Sequence, residues 1–401
     1  MSSSRTVPYS QRACPVCGEM ASHSVFSQTF DKLSKAFLLD RYEVVICDRC
    51  GAGFADGIPP QSVFENYYRE LSKYEYEYSG GMPPDEDRLR SRQIATTIAD
   101  YIPERTSRIL EIGCANGVLL ECLKEQGFAN VQGADPSPGC ARAAMELFGI
   151  PVSANSIFNI PTDDRFDFLI LSGVVEHIRD LDLAAQKFHD LLVPNGRIYL
   201  AVPDAACFPA IRDAPFQEFS VEHINFFSST SLTNFMQTRG FRFLGQGRLW
   251  LEPSAATNCV AIFCVFEKGV APEPATLRDG ETEPGLREYI RRCGLVDSSV
   301  RAKLAMIAKS GNPILVWGTG AHTLRLLADK ALDGVNIGAF VDSNPKYQDQ
   351  QLHGRPVLSP HDLYDRAEPI LISSYAAQRA IERQIREELR LKNEIFTLYQ
   401  I

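Results

Sequence analysis

The clearest hydrophobic signal is a short apolar run from Arg108 to Ile112, followed at once by Gly113-Cys-Ala-Asn-Gly117 and then by apolar positions at helical spacing from Val118 to Gln126. This order predicts a buried strand, a glycine turn and a helix. A second strand, Asn130 to Asp135, ends on an acid, and a helical stretch from about Asp87 to Tyr101 precedes the pair. Gly196 to Pro203 predicts a further strand, and Cys259 to Phe266 a last, hairpin-paired one. The theme then repeats: Pro313 to Trp317, the turn Gly318-Thr-Gly320, a helix, a strand Val335 to Val341 ending at Asp342, and strands at Pro369 to Ser373 and Glu394 to Leu398. Strands alternating with helices predict an α/β protein built from βαβ units.

Composition divides the chain. At 401 residues, 45% hydrophobic and 23% charged, it can bury two or three cores. The segment from Lys268 to Pro284, rich in Pro, Gly and Glu, is expected to be a linker. Three units are predicted: residues 1–80, 81–270 and 285–401. A formal net charge of -9 argues against nucleic acid as a partner. The N-terminus MSSSRTVPYSQR lacks the apolar core of a signal peptide, and no stretch approaches the ~20 apolar residues that span a bilayer, so a cytoplasmic protein without a membrane partner is expected.

Eleven cysteines in such a chain point to reduced thiols or metal ligands. Four stand in two knuckles, Cys14-Pro-Val-Cys17-Gly and Cys47-Asp-Arg-Cys50-Gly, with 29 residues between them. Each Cys-x2-Cys turn aims two sulfurs at one centre, and the glycine after it permits the positive φ that the turn needs. Two knuckles make a closed tetrahedral site, hence a structural zinc held by Cys14, Cys17, Cys47 and Cys50, although the interval exceeds the ~15 to 20 residues of common ribbons. Tyrosines follow, Tyr67-Tyr68 and then Tyr74, Tyr76 and Tyr78, which predict either phenols facing a sugar or nucleotide, or packing against the next unit.

In the glycine turn, Gly113 and Gly117 let the backbone pass close to a ligand, Glu111 at the strand end can hold an amine, and Asp135 can take both ribose hydroxyls. The spacing Glu-x-Gly-x-x-x-Gly is not the Gly-x-Gly-x-x-Gly of ordinary dinucleotide binding, and at Gly318-Thr-Gly320 the third glycine is replaced by Thr323, which argues against NAD there too.

Glu111-Ile-Gly-Cys-Ala-Asn-Gly117, Gly133-Ala-Asp-Pro-Ser137 and Phe166-Asp-Phe-Leu-Ile-Leu-Ser-Gly-Val-Val-Glu-His177 together resemble the class I S-adenosylmethionine methyltransferases, from Ser107 to about Lys268. The resemblance implies a Rossmann-like core with the donor held by Glu111, Gly113, Ala115, Gly117, Asp135, Asn155 and Ser156. With the cysteine module before it and a Rossmann-like α/β unit behind it, the chain is similar over nearly its whole length to the zinc-containing sugar C-methyltransferases of the tetronitrose and mycarose pathways of antibiotic and deoxysugar biosynthesis. That similarity implies methyl transfer to carbon 3 of a nucleoside-diphosphate-linked 4-keto deoxysugar, with Tyr76 toward the substrate and the C-terminal unit holding the nucleotide or docking on the core.

In that group a Glu-His pair follows strand five, and its His is the base. Here the matching residues are Glu222 and His223, in Phe219-Ser-Val-Glu-His-Ile-Asn-Phe-Phe-Ser228. Removing a proton α to a ketone needs such an imidazole, with a neighbour to stabilise the enolate oxygen. His177 is the candidate neighbour, and Glu222 would orient the imidazole or bind a sugar hydroxyl. The group's Tyr two residues before the Glu is Ser220 here, which leaves the sugar open. Methyl transfer to oxygen or nitrogen, or a non-catalytic binding role, are the alternatives; the complete Glu111, Gly113, Gly117, Asp135 set argues against the last.

Overall fold

The computed structural model describes residues 11–33, 38–71, 83, 85–269 and 276–401. Three sheets organise these residues.

The central sheet has seven strands in the order β10-β11-β8-β7-β4-β5-β6. These are β4 Ile109–Ile112, β5 Val131–Ala134, β6 Val152–Ser153, β7 Phe166–Ser172, β8 Leu192–Pro203, β10 Phe241–Leu251 and β11 Cys259–Lys268. β4 to β8 run parallel, and β11 is inserted antiparallel between β8 and β10. The hairpin expected at Cys259 is therefore present and runs two residues longer. Helices α2 Asp85–Ala99, α3 Val118–Glu125, α4 Pro138–Phe148 and α5 Leu181–Leu191 accompany this sheet. Every residue of β4 is buried, as its unbroken apolar run requires. The Gly113 to Gly117 turn and Asp135 lie at the carboxyl ends of the parallel strands β4 and β5, where such sheets open to ligands.

The N-terminal sheet has no counterpart among the elements that the hydrophobic pattern predicts. β1 Ser22–Thr29, β2 Arg41–Cys47 and β3 Gly53–Asp56 form an antiparallel meander, followed by helix α1 Gln61–Leu71. Its fourth strand, β9 Asn225–Phe226, comes from the loop after β8 and pairs Gly53 with Phe226 and Phe54 with Asn225. The segment carrying Glu222 and His223 is thus stitched to the cysteine-bearing sheet. Phe226 and Phe227 are buried, so they are core residues.

The third sheet has the order β14-β15-β13-β12-β16-β17, with β12 Ile314–Trp317, β13 Ile337–Val341, β14 Gln351–Leu352, β15 Arg355–Leu358, β16 Ile370–Ile372 and β17 Ile395–Thr397. All neighbours are parallel except β14 with β15. Helix α8 Ala321–Ala328 starts after the turn at Gly318, whose φ is 107°.

The stretch expected as a linker is anchored where it is described. Asp279 is buried, its N–H donates to the Cys50 carbonyl at 2.8 Å, and its Oδ2 accepts from Ser228 and Thr282 hydroxyls at 2.6 Å each. These bonds start the long helix α7 at Thr282, running to Ser310. Pro284 falls in its first turn, where a missing N–H costs nothing. Among the described residues, no helix is long and apolar enough to cross a membrane.

Candidate active site

β4 delivers Glu111 to the floor of a cavity of about 850 Å³. Its carboxylate is buried, Oε2 accepts no hydrogen bond among the described residues, and burial with the nearby Asp135 charge pushes its pKa up to about 8. The turn beyond is tightly built. Gly113 has φ 74°, and a Cβ there would come within 2.6 Å of Val174 Cγ2, so a side chain would both strain the backbone and force Val174 to move. Ala115 adopts φ 47° and Gly117 φ 81°. Asp135, at the tip of β5, accepts the Ala115 N–H at 3.0 Å and the Ser137 N–H at 2.9 Å. Burial raises its pKa against the pull of those two donors. Glu111, Gly113, Ala115, Asp135, Asn155 and Ser156 all line the cavity, whereas Gly117, the residue before α3, does not.

Two loops meet at the other end. After β7, a 3₁₀ turn Val175–His177 carries Glu176 and His177; after β8, the second loop carries Glu218, Glu222 and His223. They are laced together: Ile224 N–H donates to Glu176 O at 2.9 Å, Asn225 Nδ2 to Val175 O and Ile178 O at 2.9 and 2.8 Å, and Arg12 Nη2 to Asn225 Oδ1 at 2.6 Å. His177 Nδ1 lies 2.9 Å from the Glu222 carbonyl, which can only accept, so Nδ1 carries a proton. The His177 and His223 rings are 5.0 Å apart, and His177, His223 and Glu176 bring polar atoms within 4.8 Å of one another. Glu176 is buried, which pushes its pKa up to about 7 against the attraction of His223. Burial alone would lower the pKa of His223, but Glu218, Glu176 and Glu222 outweigh it and raise it.

Glu222 reaches the Tyr67 hydroxyl, which donates to Oε1 at 3.1 Å. The carboxylate oxygen recorded beside His223 Nδ1, at 3.6 Å, belongs to Glu218. Glu218 stands five positions before His223, outside the Glu-His pair, and no local sequence pattern signals that the loop brings the two together. Ser220, in place of the tyrosine, accepts the N–H groups of Glu222 and His223 at 3.3 and 3.2 Å, while its carbonyl accepts from the Tyr42 hydroxyl at 3.0 Å. Tyr67 and Tyr68 line the cavity, as do Thr319, Gly320 and Ala321 after β12. Tyr76 lies outside the described residues.

The four knuckle cysteines converge away from this cavity. Cys14 Sγ is 3.6 Å from Cys50 Sγ, and Cys17 Sγ is 3.5 Å from Cys47 Sγ. Four sulfurs at ~2.3 Å from one tetrahedral ion would stand ~3.8 Å apart, so the set fits zinc with little adjustment. Gly18 and Gly51 have φ of 75° and 77°, as expected for the knuckles.

Residues 87–246 match the family model described as "Methyltransferase domain", and residues 310–396 one described as "C2185-like, N-terminal". Curated relatives include the ubiquinone biosynthesis O-methyltransferases of Azorhizobium caulinodans, 33% identical over 23% of this chain and 39% of that protein, and of Rhizobium etli, 32% identical over 23% and 40%. The chain thus spans about two fifths of the length of these relatives. The solved Burkholderia thailandensis 1,6-didemethyltoxoflavin-N1-methyltransferase aligns at 18% identity and TM-score 0.40, over 56% of this chain and 97% of that one. From α2 into β10, on the parallel part of the seven-stranded sheet, the chain thus carries a stretch that matches a methyltransferase domain.

Proposed function

We propose that this chain transfers a methyl group from S-adenosylmethionine to carbon 3 of a nucleoside-diphosphate-linked 4-keto deoxysugar. The observation that carries this reading is that the Glu111 to Asp135 turn and the half-buried His177 and His223 rings line one common cavity. A base beside the donor turn is what methylation of an acidic C–H requires.

The donor supplies an electrophilic methyl and leaves as a neutral thioether. Asp135 would take the ribose hydroxyls and Glu111 the ammonium, with Asn155 and Ser156 beside the adenine. His223 takes the proton from carbon 3, the carbon–hydrogen pair becomes the enolate, and that carbon attacks the methyl as the carbon–sulfur bond breaks. His177 would donate to the enolate oxygen from Nε2. Because its Nδ1 proton faces the Glu222 carbonyl, it can do so only with a second proton on Nε2. Glu222, tied to Tyr67, is better sited to bind a sugar hydroxyl than to turn the His223 ring. The Thr319 to Ala321 turn extends the cavity toward a nucleotide, and the zinc module, residues 1–80, holds the His223 loop through β3 and β9. The division into units at 81–270 and 285–401 belongs to the same reading.

Transfer to oxygen is the second reading, favoured by the names of the curated relatives; it uses His223 as base to a hydroxyl and needs no enolate. Hydrogen exchange separates them. With His223 as the carbon base, substrate deuterated at carbon 3 loses its label in ordinary water under enzyme control, and His223→Asn stops both exchange and transfer while donor binding persists. Transfer at normal rate without exchange competence would favour oxygen.

A further inference from the structure

We propose that Glu218 is the positioning residue for His223, holding its Nδ1 proton so that Nε2 faces the cavity as the basic nitrogen. The inference rests on the reading of His223 as base, and assigns to Glu218 the orienting role that the sequence suggested for Glu222.

Glu218 has no other evident task. Its side chain is buried, and Oε2 accepts no hydrogen bond among the described residues while standing 3.6 Å from His223 Nδ1. That is an ion-pair separation rather than a closed hydrogen bond. A carboxylate withdrawn from water without a partner is costly, and an imidazole gaining a proton beside it repays that cost. A carboxylate can only accept, so it selects the tautomer with hydrogen on Nδ1 and leaves the Nε2 lone pair for substrate.

The backbone that carries Glu218 is held from behind. Glu218 N–H donates to the Tyr289 hydroxyl at 3.0 Å, and Phe216 N–H to Cys293 Sγ at 3.2 Å, both on α7. Phe216 takes φ 62°, turning the chain back, and Phe219 packs edge-on against Tyr289 and Phe226 with ring centroids 5.3 Å apart in each case. On the far side, His223 N–H is fixed by Ser220 Oγ. Both partners therefore sit on rigid backbone, and α7 gains a part in the site through Tyr289. The other titratable groups around the pair are Glu176 and His177 on the 3₁₀ turn, Glu222 on the same loop with Tyr67 against it, Tyr68 against His177, and Cys259 on β11.

Nitrogen-15 NMR of imidazole-labelled full-length protein tests this without any methyl acceptor. His223 in the wild type is expected as the Nδ1–H tautomer, with a titration above that of a free imidazole. In Glu218→Gln the titration should move to lower pH, since a charge that favours imidazolium is gone; in Glu222→Gln it should move less. In turnover, Glu218→Gln should lower kcat about tenfold or more with acceptor KM little changed, shift the acid limb of the pH profile to lower pH, and be partly rescued by Glu218→Asp. Wild-type His223 as the Nε2–H tautomer would overturn the proposal, whether or not any variant folds. A titration more sensitive to Glu222→Gln than to Glu218→Gln would overturn it as well. Should the NMR results hold while His223→Asn remains active, the base reading falls and the positioning of His223 by Glu218 stands.

Discussion

Oδ2 of Asp135 accepts the backbone N–H of Ala115 at 3.0 Å, so the acid that ends β5 and the turn that follows β4 form one unit. Asp135→Ala removes the expected acceptor of two ribose hydroxyls and loosens the turn under the donor. Each charge-assisted hydrogen bond contributes about 1.5 to 3 kcal/mol. S-adenosylhomocysteine affinity should fall at least about tenfold by calorimetry, and unchanged affinity would move the donor elsewhere.

Gly113→Ala probes the same turn by shape alone. A methyl at φ 74°, placed 2.6 Å from Val174 Cγ2, is strained in backbone and packing together. A loss of about 1 to 3 kcal/mol in stability is expected, with weaker donor binding. Thermal unfolding with and without S-adenosylhomocysteine measures both.

Glu111 gives a proton-linkage test. Its pKa of about 8 in the fold exceeds the ordinary 4.5, so its contribution to stability is full below 4.5 and is lost as pH rises through about 8. An ammonium seated against it favours the carboxylate, so donor binding at pH 7 should release a proton, and affinity should rise toward pH 8. Calorimetry in two buffers of different ionisation heat detects this; Glu111→Gln should abolish the difference. Equal heats in the wild type would mean that the ammonium lies elsewhere.

The strand-and-turn frame of this site was legible because its local sequence has few alternatives. Apolar β4 followed by Gly113 and Gly117 admits little besides a strand and a ligand turn, and β12 with Gly318 reads in the same way. The remainder depends on pairings distant in sequence. β9 is two residues long and exists because Gly53 and Phe54 offer it an edge. Glu218 is placed beside His223 on a backbone that Tyr289, 71 positions away, fixes. The supposed linker turned out anchored because Asp279 finds Ser228 and the Cys50 carbonyl, partners that composition does not reveal.

The cysteine set should bind about one zinc per chain, and Cys14→Ser should lose it. Because Asp279 N–H bonds to Cys50 O and β3 supports β9, metal loss should lower stability and disturb the His223 loop before it touches the donor turn. Metal analysis with thermal unfolding checks this. Soluble, active protein free of zinc would contradict it.

The most direct test is the position of the transferred methyl. Incubating the protein with S-adenosylmethionine labelled with carbon-13 in its methyl group and a panel of nucleoside-diphosphate-linked 4-keto deoxysugars allows NMR to assign the new bond. A labelled methyl bonded to carbon 3, absent with His223→Asn, is the expected result; a methyl on oxygen, or one formed as fast without His223, would contradict it.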